Sequence, residues 1–192
     1  RIFFLSHSVR REFLLRVHFS EAATTVVPHP RPTLFAESVV TPEEMRARLA
    51  LDEKLPVLLF FGVLRQSKGV EDLVEAYAMS RSRGSAQLVI AGRATTFIDI
   101  AALRARIEEH GLSSRVRLEN RYFDAEEVAP LFALARAVVL PYRTAAASGV
   151  LHMAYAFGRL PIVTDVGGLA EDVIDGKTGL IAPAKNPQEL AR

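Results

Sequence analysis

The chain has 192 residues, 49% hydrophobic and 24% charged, a composition that fits a folded globular domain and excludes a disordered or low-complexity segment. Lys and Arg number 24 against 22 Asp and Glu, and the resulting +2 points to no basic groove for nucleic acid. The absence of cysteine removes disulfides, thiolate metal sites and thiol nucleophiles together and leaves the compartment open, and no apolar run nears the roughly eighteen residues of a spanning helix.

Residues 2–6, IFFLS, read as a strand. HSVRREFLLRVHF follows as a short helix with Phe13, Leu14 and Val17 on one face. Ser8 is its candidate cap, although Arg11 stands where a capping box wants Glu. The tract RREFLLR is too short to carry much basic surface for a membrane or nucleic acid, and fits packing on a sheet edge. TTVVPHP gives a second strand closed by Pro28 and Pro30, with His29 between them, and PRPTLFAESVVT lacks a period, as a linker does. Arg1 starts directly on a buried-looking strand and PQELAR opens a new helix, so the chain reads as a piece cut at both ends.

Thr41-Pro42-Glu43-Glu44 carries a Thr cap, Pro at the first helical position and Glu three residues after the cap, which predicts a short helix ending before Pro56. PVLLFFG, QLVIAG, VRLENRYF, AVVLPY, LPIVTD and GLIAP then read as six strands. Between them, VEDLVEAYAM is amphipathic through Val70, Leu73, Val74 and Tyr77. IAALRARIEEHG turns Ile100, Leu103 and Ile107 inward and closes on Gly111. Asp124-Ala125-Glu126-Glu127 is a second capping box opening EEVAPLFALA, where Pro130 predicts a kink or a stepped start. VLHMAYAFG and LAEDVIDG read as the last two helices before the final strand. Strand and helix thus alternate from Pro56 onward, which predicts an α/β fold: a Rossmann-like three-layer αβα sandwich on a mostly parallel sheet. The domain boundary falls near Ser38, giving residues 1–38 as a remnant of another domain with its linker and 39–192 as the sandwich, truncated at its C-terminus.

Three small-residue turns fall where strands hand over to helices, which is where parallel sheets bind ligands. Gly62-Val63-Leu64-Arg65-Gln66-Ser67-Lys68-Gly69 places two cations near the sheet edge, where a phosphate would meet helix amides and the charges of Arg65 and Lys68. The spacing is neither a Walker loop nor a dinucleotide GxGxxG, so solvated surface cations are the competing reading. Ser148-Gly149-Val150 opens the helix VLHMAYAFG with small side chains, suited to close approach of a diphosphate, or simply to a capped bend. Gly167-Gly168 precedes Glu171, which either reaches the same cleft or merely suits a helix dipole. The five histidines, His7, His18, His29, His110 and His152, form no metal spacing. His152 reads as structural, and His29 as a weak ligand candidate.

FFGVLRQSKGVEDLVEAY, LVIAG, VVLPYRTAAASGVLHMAYAFG, VTDVGGLAEDVIDGKTGLIAP and NPQELA together resemble the C-terminal, donor-binding half of retaining glycosyltransferases of the GT-B type. The likeness is to glycosyltransferase family 4, the group with bacterial mannosyl- and glucosyltransferases. FLSHSVRREFL and VVPHP resemble the end of the N-terminal, acceptor-binding domain, so the likeness covers nearly the whole chain. The resemblance implies an enzyme that moves a hexose from a nucleoside-diphosphate sugar to a glycan or lipid-linked acceptor, with retention of anomeric configuration. It implies no cofactor, no metal on the donor diphosphate and no nucleic-acid partner, and a cytoplasmic protein that can sit at the cytoplasmic face of the membrane.

By the same resemblance Arg65 and Lys68 act catalytically on the leaving diphosphate. Gly62 and the amides around Ser148, Gly149, Val150 and Leu151 bind the donor with them, Asn120 to Phe123, with Asn120 and Tyr122 foremost, line the base pocket, and Glu171 completes the donor site. Two glutamates common in the family fall here on Ala145 and Met153, and the proline usual after the helix-ending glycine comes one step late, at Pro161 behind Leu160. A subset of the family also carries SG followed by AYAFG, so this loss is compatible with activity, although the piece alone is expected to bind donor without transferring it. The reading from a different class is a degenerate GT-B-like domain kept for interaction or scaffolding, motivated by Ala145 and Met153. A dinucleotide oxidoreductase is disfavoured because no GxGxxG opens a βαβ unit.

Overall fold

The computed structural model describes residues 1–27, 30 and 39–192. Pro28, His29 and the boundary near Ser38 lie outside the described residues. The chain opens with a parallel pair, β1 (Ile2–Phe4) and β2 (Thr24–Val26), joined through α1 (His7–Arg16). Ser6 caps α1 by accepting from the Val9 amide, so the cap is Ser6 and not Ser8. A cap must hold extended backbone three residues before the amide it receives; Ser6 does so, while Ser8 is already inside the helix. No residue of α1 is fully buried. Phe13 packs between Phe4 and Phe19, at centroid distances of 5.2 and 5.8 Å, and covers only part of the expected apolar face.

α2 (Pro42–Arg48) begins as its capping box requires: Thr41 Oγ1 accepts the Glu44 amide at 3.1 Å and Glu44 Oε2 accepts the Thr41 amide at 3.0 Å. The main sheet follows, with β3 (Val57–Phe61), β4 (Gln87–Ala91), β5 (Val116–Glu119), β6 (Ala135–Leu140), β7 (Leu160–Thr164) and β8 (Leu180–Ala182). All six strands are parallel, in the order β5-β4-β3-β6-β7-β8. β4 is buried along its length and apolar after Gln87, as a strand covered on both faces must be. The edge strand β5 alternates buried and half-buried positions, and the opposite edge, β8, is only three residues long.

The connections are α3 (Val70–Met79), α4 (Ile100–Glu109), α5 (Ala125–Leu134) and α6 (Gly149–Ala156), with α7 (Pro187–Leu190) after β8. α3 buries Val70, Leu73, Val74 and Tyr77, and the Tyr77 hydroxyl donates to the Ala86 carbonyl at 2.8 Å. α4 is capped by Asp99 and buries Leu103 and Ile107, with Gly111 beyond its end at φ 67. Right-handed crossovers put α3 and α4 on one face and α5 and α6 on the other, since the strand order reverses after β3. On the second face Phe132 of α5 stacks on Phe157 at 5.2 Å and meets Phe61 edge-on at 5.4 Å. This is the expected Rossmann-like sandwich.

Two local expectations meet the structure differently. α5 runs from Ala125 through the buried Pro130 to Leu134 as one helix, so there is no stepped start. LAEDVIDG is not a helix: only Ala170–Asp172 turn, as a single 3₁₀ turn. Thr178 Oγ1 takes the Ile174 amide at 2.8 Å and Val173 is extended, so side-chain bonding and β-branched residues replace the helical ladder.

Candidate functional site at the sheet switch point

β3 and β6 are neighbours whose following connections run in opposite directions across the sheet, so the loops leaving their C-terminal ends border a crevice. The first loop holds Gly62 at φ 126, then Leu64 bridged to Ala94, then Gln66–Lys68 as a 3₁₀ turn, and Gly69 at φ 62 leading into α3. The second is Pro141 to Ser148. The two touch closely. A Cβ on Gly69 would stand 2.0 Å from the Pro141 carbonyl oxygen, and the Arg143 amide donates to the Ser67 carbonyl at 2.9 Å. Only glycine allows both the left-handed backbone and that approach.

Lys68 Nζ lies 3.4 Å from the centroid of the Tyr142 ring, a cation–π contact with a fully buried aromatic. Tyr142 Oη is 3.4 Å from Ser148 Oγ, and Ser148, itself buried, caps α6 by accepting the Leu151 amide at 3.3 Å. Gly62 faces the same helix, with Val150 Cγ2 3.8 Å from where its Cβ would be. The cation loop and the start of α6 therefore meet at one end of the sheet. The Leu151 amide is already taken by its cap, while those of Gly149 and Val150 have no partner among the described residues. Burial, with the nearby Arg65 charge adding to it, lowers the Lys68 ammonium to a pKa of about 8. Arg65 itself is exposed.

The remaining candidates are placed differently. Asn120 follows β5, two strands from the crevice, and its Oδ1 accepts the Ala94 amide at 2.8 Å, bracing the loop after β4 that in turn pairs with Leu64. Tyr122 is 73% exposed. Glu171 accepts from the His7 amide at 2.8 Å and from the Ser8 amide at 2.5 Å, so its carboxylate closes the N-terminus of α1. Burial would raise its pKa, but the backbone bond from His7 and the bonds from Ser8 together hold it below the ordinary carboxylate value. Beside it the loop after β7 is pressed against its neighbours: a Cβ on Gly167 would lie 1.7 Å from the Ala145 carbonyl oxygen, and one on Gly168 2.3 Å from Ser6 Cβ. Ala145 and Met153 are half-buried against the core. His152 Nε2 lies 3.4 Å from Asp172 Oδ2.

Tyr142 and Arg143 were not singled out from the sequence. An aromatic side chain at the end of a buried strand, followed by a cation before the small-residue loop, is the signal that marks them. A cavity of about 430 Å³ between α3, β8 and α7 lies away from the crevice and is walled mainly by apolar side chains such as Leu73, Val139 and Ile162. Among the described residues there is no group of three or more His, Asp or Glu side chains that could hold a metal ion, and no helix long and apolar enough to cross a membrane.

Fold and crevice together define a Rossmann-like α/β domain of the GT-B kind. Residues 55–192 match the family model described as glycosyl transferases group 1, and the chain belongs to that family. Alpha-D-kanosaminyltransferase of Streptomyces kanamyceticus is 32% identical over 149 residues, covering 77% of this chain and 37% of that protein. Sucrose-phosphate synthase of Thermosynechococcus elongatus superposes with a TM-score of 0.78 at 28% identity, covering 98% of this chain and 46% of that one. HepE of Anabaena, solved with UDP and glucose, superposes with a TM-score of 0.84 over 98% of this chain and 51% of that one; at 21% identity it speaks for the fold alone. The chain thus spans about half the length, or less, of the proteins it matches.

Proposed function

We propose that this chain is the donor-binding domain of a retaining hexosyltransferase that moves a sugar from a nucleoside diphosphate to a glycan or a lipid-linked acceptor. The observation that carries the reading is the meeting of the Lys68 loop with the α6 N-terminus across Tyr142 and Ser148. A diphosphate in this crevice would find two kinds of partner there. The ammonium of Lys68 and the guanidinium of Arg65 supply mobile positive charge, and the amides of Gly149 and Val150 supply fixed donors on a helix end. As the glycosidic bond breaks, negative charge grows on the departing nucleoside diphosphate, and both kinds of partner bind that charge more strongly than the ground state. Gly62 keeps the floor of the crevice free of a side chain, while Asn120, whose side chain braces the loop after β4, and the exposed Tyr122 are the groups a base would meet in this reading. Glu171 acts in this reading by holding α1 at the cleft. The whole protein would work in the cytoplasm, at the cytoplasmic face of the membrane when its acceptor is lipid-linked.

Titration of the chain with UDP, ADP and GDP tests this. At least one should bind, and exchanging Arg65 and Lys68 together for Ala should weaken it by about a hundredfold, on the scale of two charge-assisted contacts at about 1.4 kcal/mol each. Unchanged affinity in the double variant would remove the donor site. Absence of binding, together with no sugar transfer by the full-length protein, would favour the scaffolding reading that Ala145 and Met153 motivate.

A further inference from the structure

Arg143 leaves the end of β6 beside Tyr142 and turns toward the first turn of α3. Its Nε donates to Asp72 Oδ2 at 2.8 Å and its Nη2 to Asp72 Oδ1 at 2.7 Å, a fork on a carboxylate, and Nη2 also lies 3.4 Å from Glu71 Oε2. The same residue grips the cation loop through its backbone: the Arg143 amide donates to the Ser67 carbonyl at 2.9 Å, and the Thr144 amide reaches that oxygen at 3.4 Å. Nη1 approaches the Gln66 carbonyl at 3.5 Å. One residue therefore joins three pieces of chain: the loop after β6, the 3₁₀ turn that carries Lys68, and the helix that follows that turn.

This pair differs from an ordinary surface ion pair in geometry and in shielding. The side chains of Arg143 and Asp72 are 28% and 18% exposed, and a bidentate guanidinium–carboxylate contact fixes orientation as well as distance. The hydrogen bonds that Arg143 donates to Asp72 raise the guanidinium above its ordinary value, and two carboxylates face it, so its charge is matched locally. Among the described residues, Arg65 and Lys68 are the cations of the loop that face no carboxylate. Placement matters because Lys68 sits one residue from the glycine that touches Pro141, and a small rotation of the 3₁₀ turn would lift its ammonium off the Tyr142 ring.

We propose that Arg143 and Asp72 are positioning residues for the Gln66–Lys68 turn, holding the Lys68 ammonium over Tyr142 and in register with the α6 N-terminus so that the crevice is preorganised for a diphosphate. The proposal rests on the reading of the crevice as a diphosphate site, and its test separates the two. Asp72→Asn keeps the shape of the acceptor and removes its charge, whereas Arg143→Lys keeps the charge and removes the fork. For each variant three quantities are measured: the titration midpoint of Lys68 by NMR of its side chain, with the signal assigned through Lys68→Arg; the affinity for UDP, ADP and GDP; and the melting temperature.

Release of the turn should rehydrate Lys68, moving its midpoint upward from about 8 toward 10.5, and should weaken nucleotide binding about tenfold. A pair that serves stability alone would lower the melting temperature and leave both the midpoint and the affinity at wild-type values in both variants, and that result overturns the proposal. Should the wild-type chain bind none of the three nucleotides, the donor reading falls while the Lys68 midpoint still decides whether the clamp exists. Arg143→Lys, which retains the charge beside Glu71 and Asp72, carries the test if Asp72→Asn does not fold.

Discussion

Lys68 is held where its own charge is disfavoured, and that makes its protonation a reporter of what enters the crevice. In the fold its pKa stands at about 8, below the 10.5 of an exposed lysine, so across that interval the unfolded chain binds a proton that the native chain does not. From this group stability therefore rises with pH between about 8 and 10.5. A bound anion does the opposite and restores the ammonium. As far as Lys68 sets it, nucleoside-diphosphate binding should not change with pH between about 7 and 8 and should weaken above about 8, with net proton uptake on binding near pH 8 to 9. Calorimetry in two buffers of different ionisation enthalpy measures that uptake; none at pH 8.5 would mean that the ligand does not meet Lys68. Glu171 shows the converse. A carboxylate that the sequence could only place near a cleft has its two oxygens committed to backbone amides of another element.

The elements behave as their local chemistry dictates wherever the chemistry is local. The Thr41 box forms both of its reciprocal bonds because every group in it lies within four residues. Ser148 is the cap that matters most for the crevice. Ser148→Ala should destabilise the chain by about 1 kcal/mol, the typical loss for a removed N-cap, and urea denaturation measures it. Gly69→Ala should be more damaging, about 2 kcal/mol or more, since the new Cβ meets both a left-handed backbone and the Pro141 carbonyl. Because that clash forces the two crevice loops apart, nucleotide titration of the folded variant should show a loss of binding beyond what the stability change explains. The segment after β7 shows where local reading stops. LAEDVIDG has the apolar spacing of a helix, but Thr178 and Tyr155 supply competing bonds from farther along the chain and from α6.

At the scale of the molecule, Glu171 couples the small β1–α1–β2 unit to the main sheet. Its folded-state pKa is lowered, so its contribution is complete above the unfolded value and is lost as pH falls through the folded one. Protection of the His7 and Ser8 amides, taken as their exchange rate relative to an unstructured amide at the same pH, should be high at neutral pH, fall on acidification through that range, and be low at all pH values in Glu171→Gln. Protection that persists in the variant would show that the Ser6–Gly168 contact alone holds α1. The alternation of strands and helices as far as β7, the count of six parallel strands and the Thr41 and Ser148 caps were determined by the sequence itself, because hydrophobic period and capping act over a few residues. That β3 and β6 lie side by side was decided only in three dimensions. No local pattern encodes the order of strands, and that order brings Lys68 to Tyr142, Arg143 to Asp72 and Glu171 to α1. Each of these partners is distant along the chain, so its identity emerges only when the crossovers close and burial selects which charges must be matched.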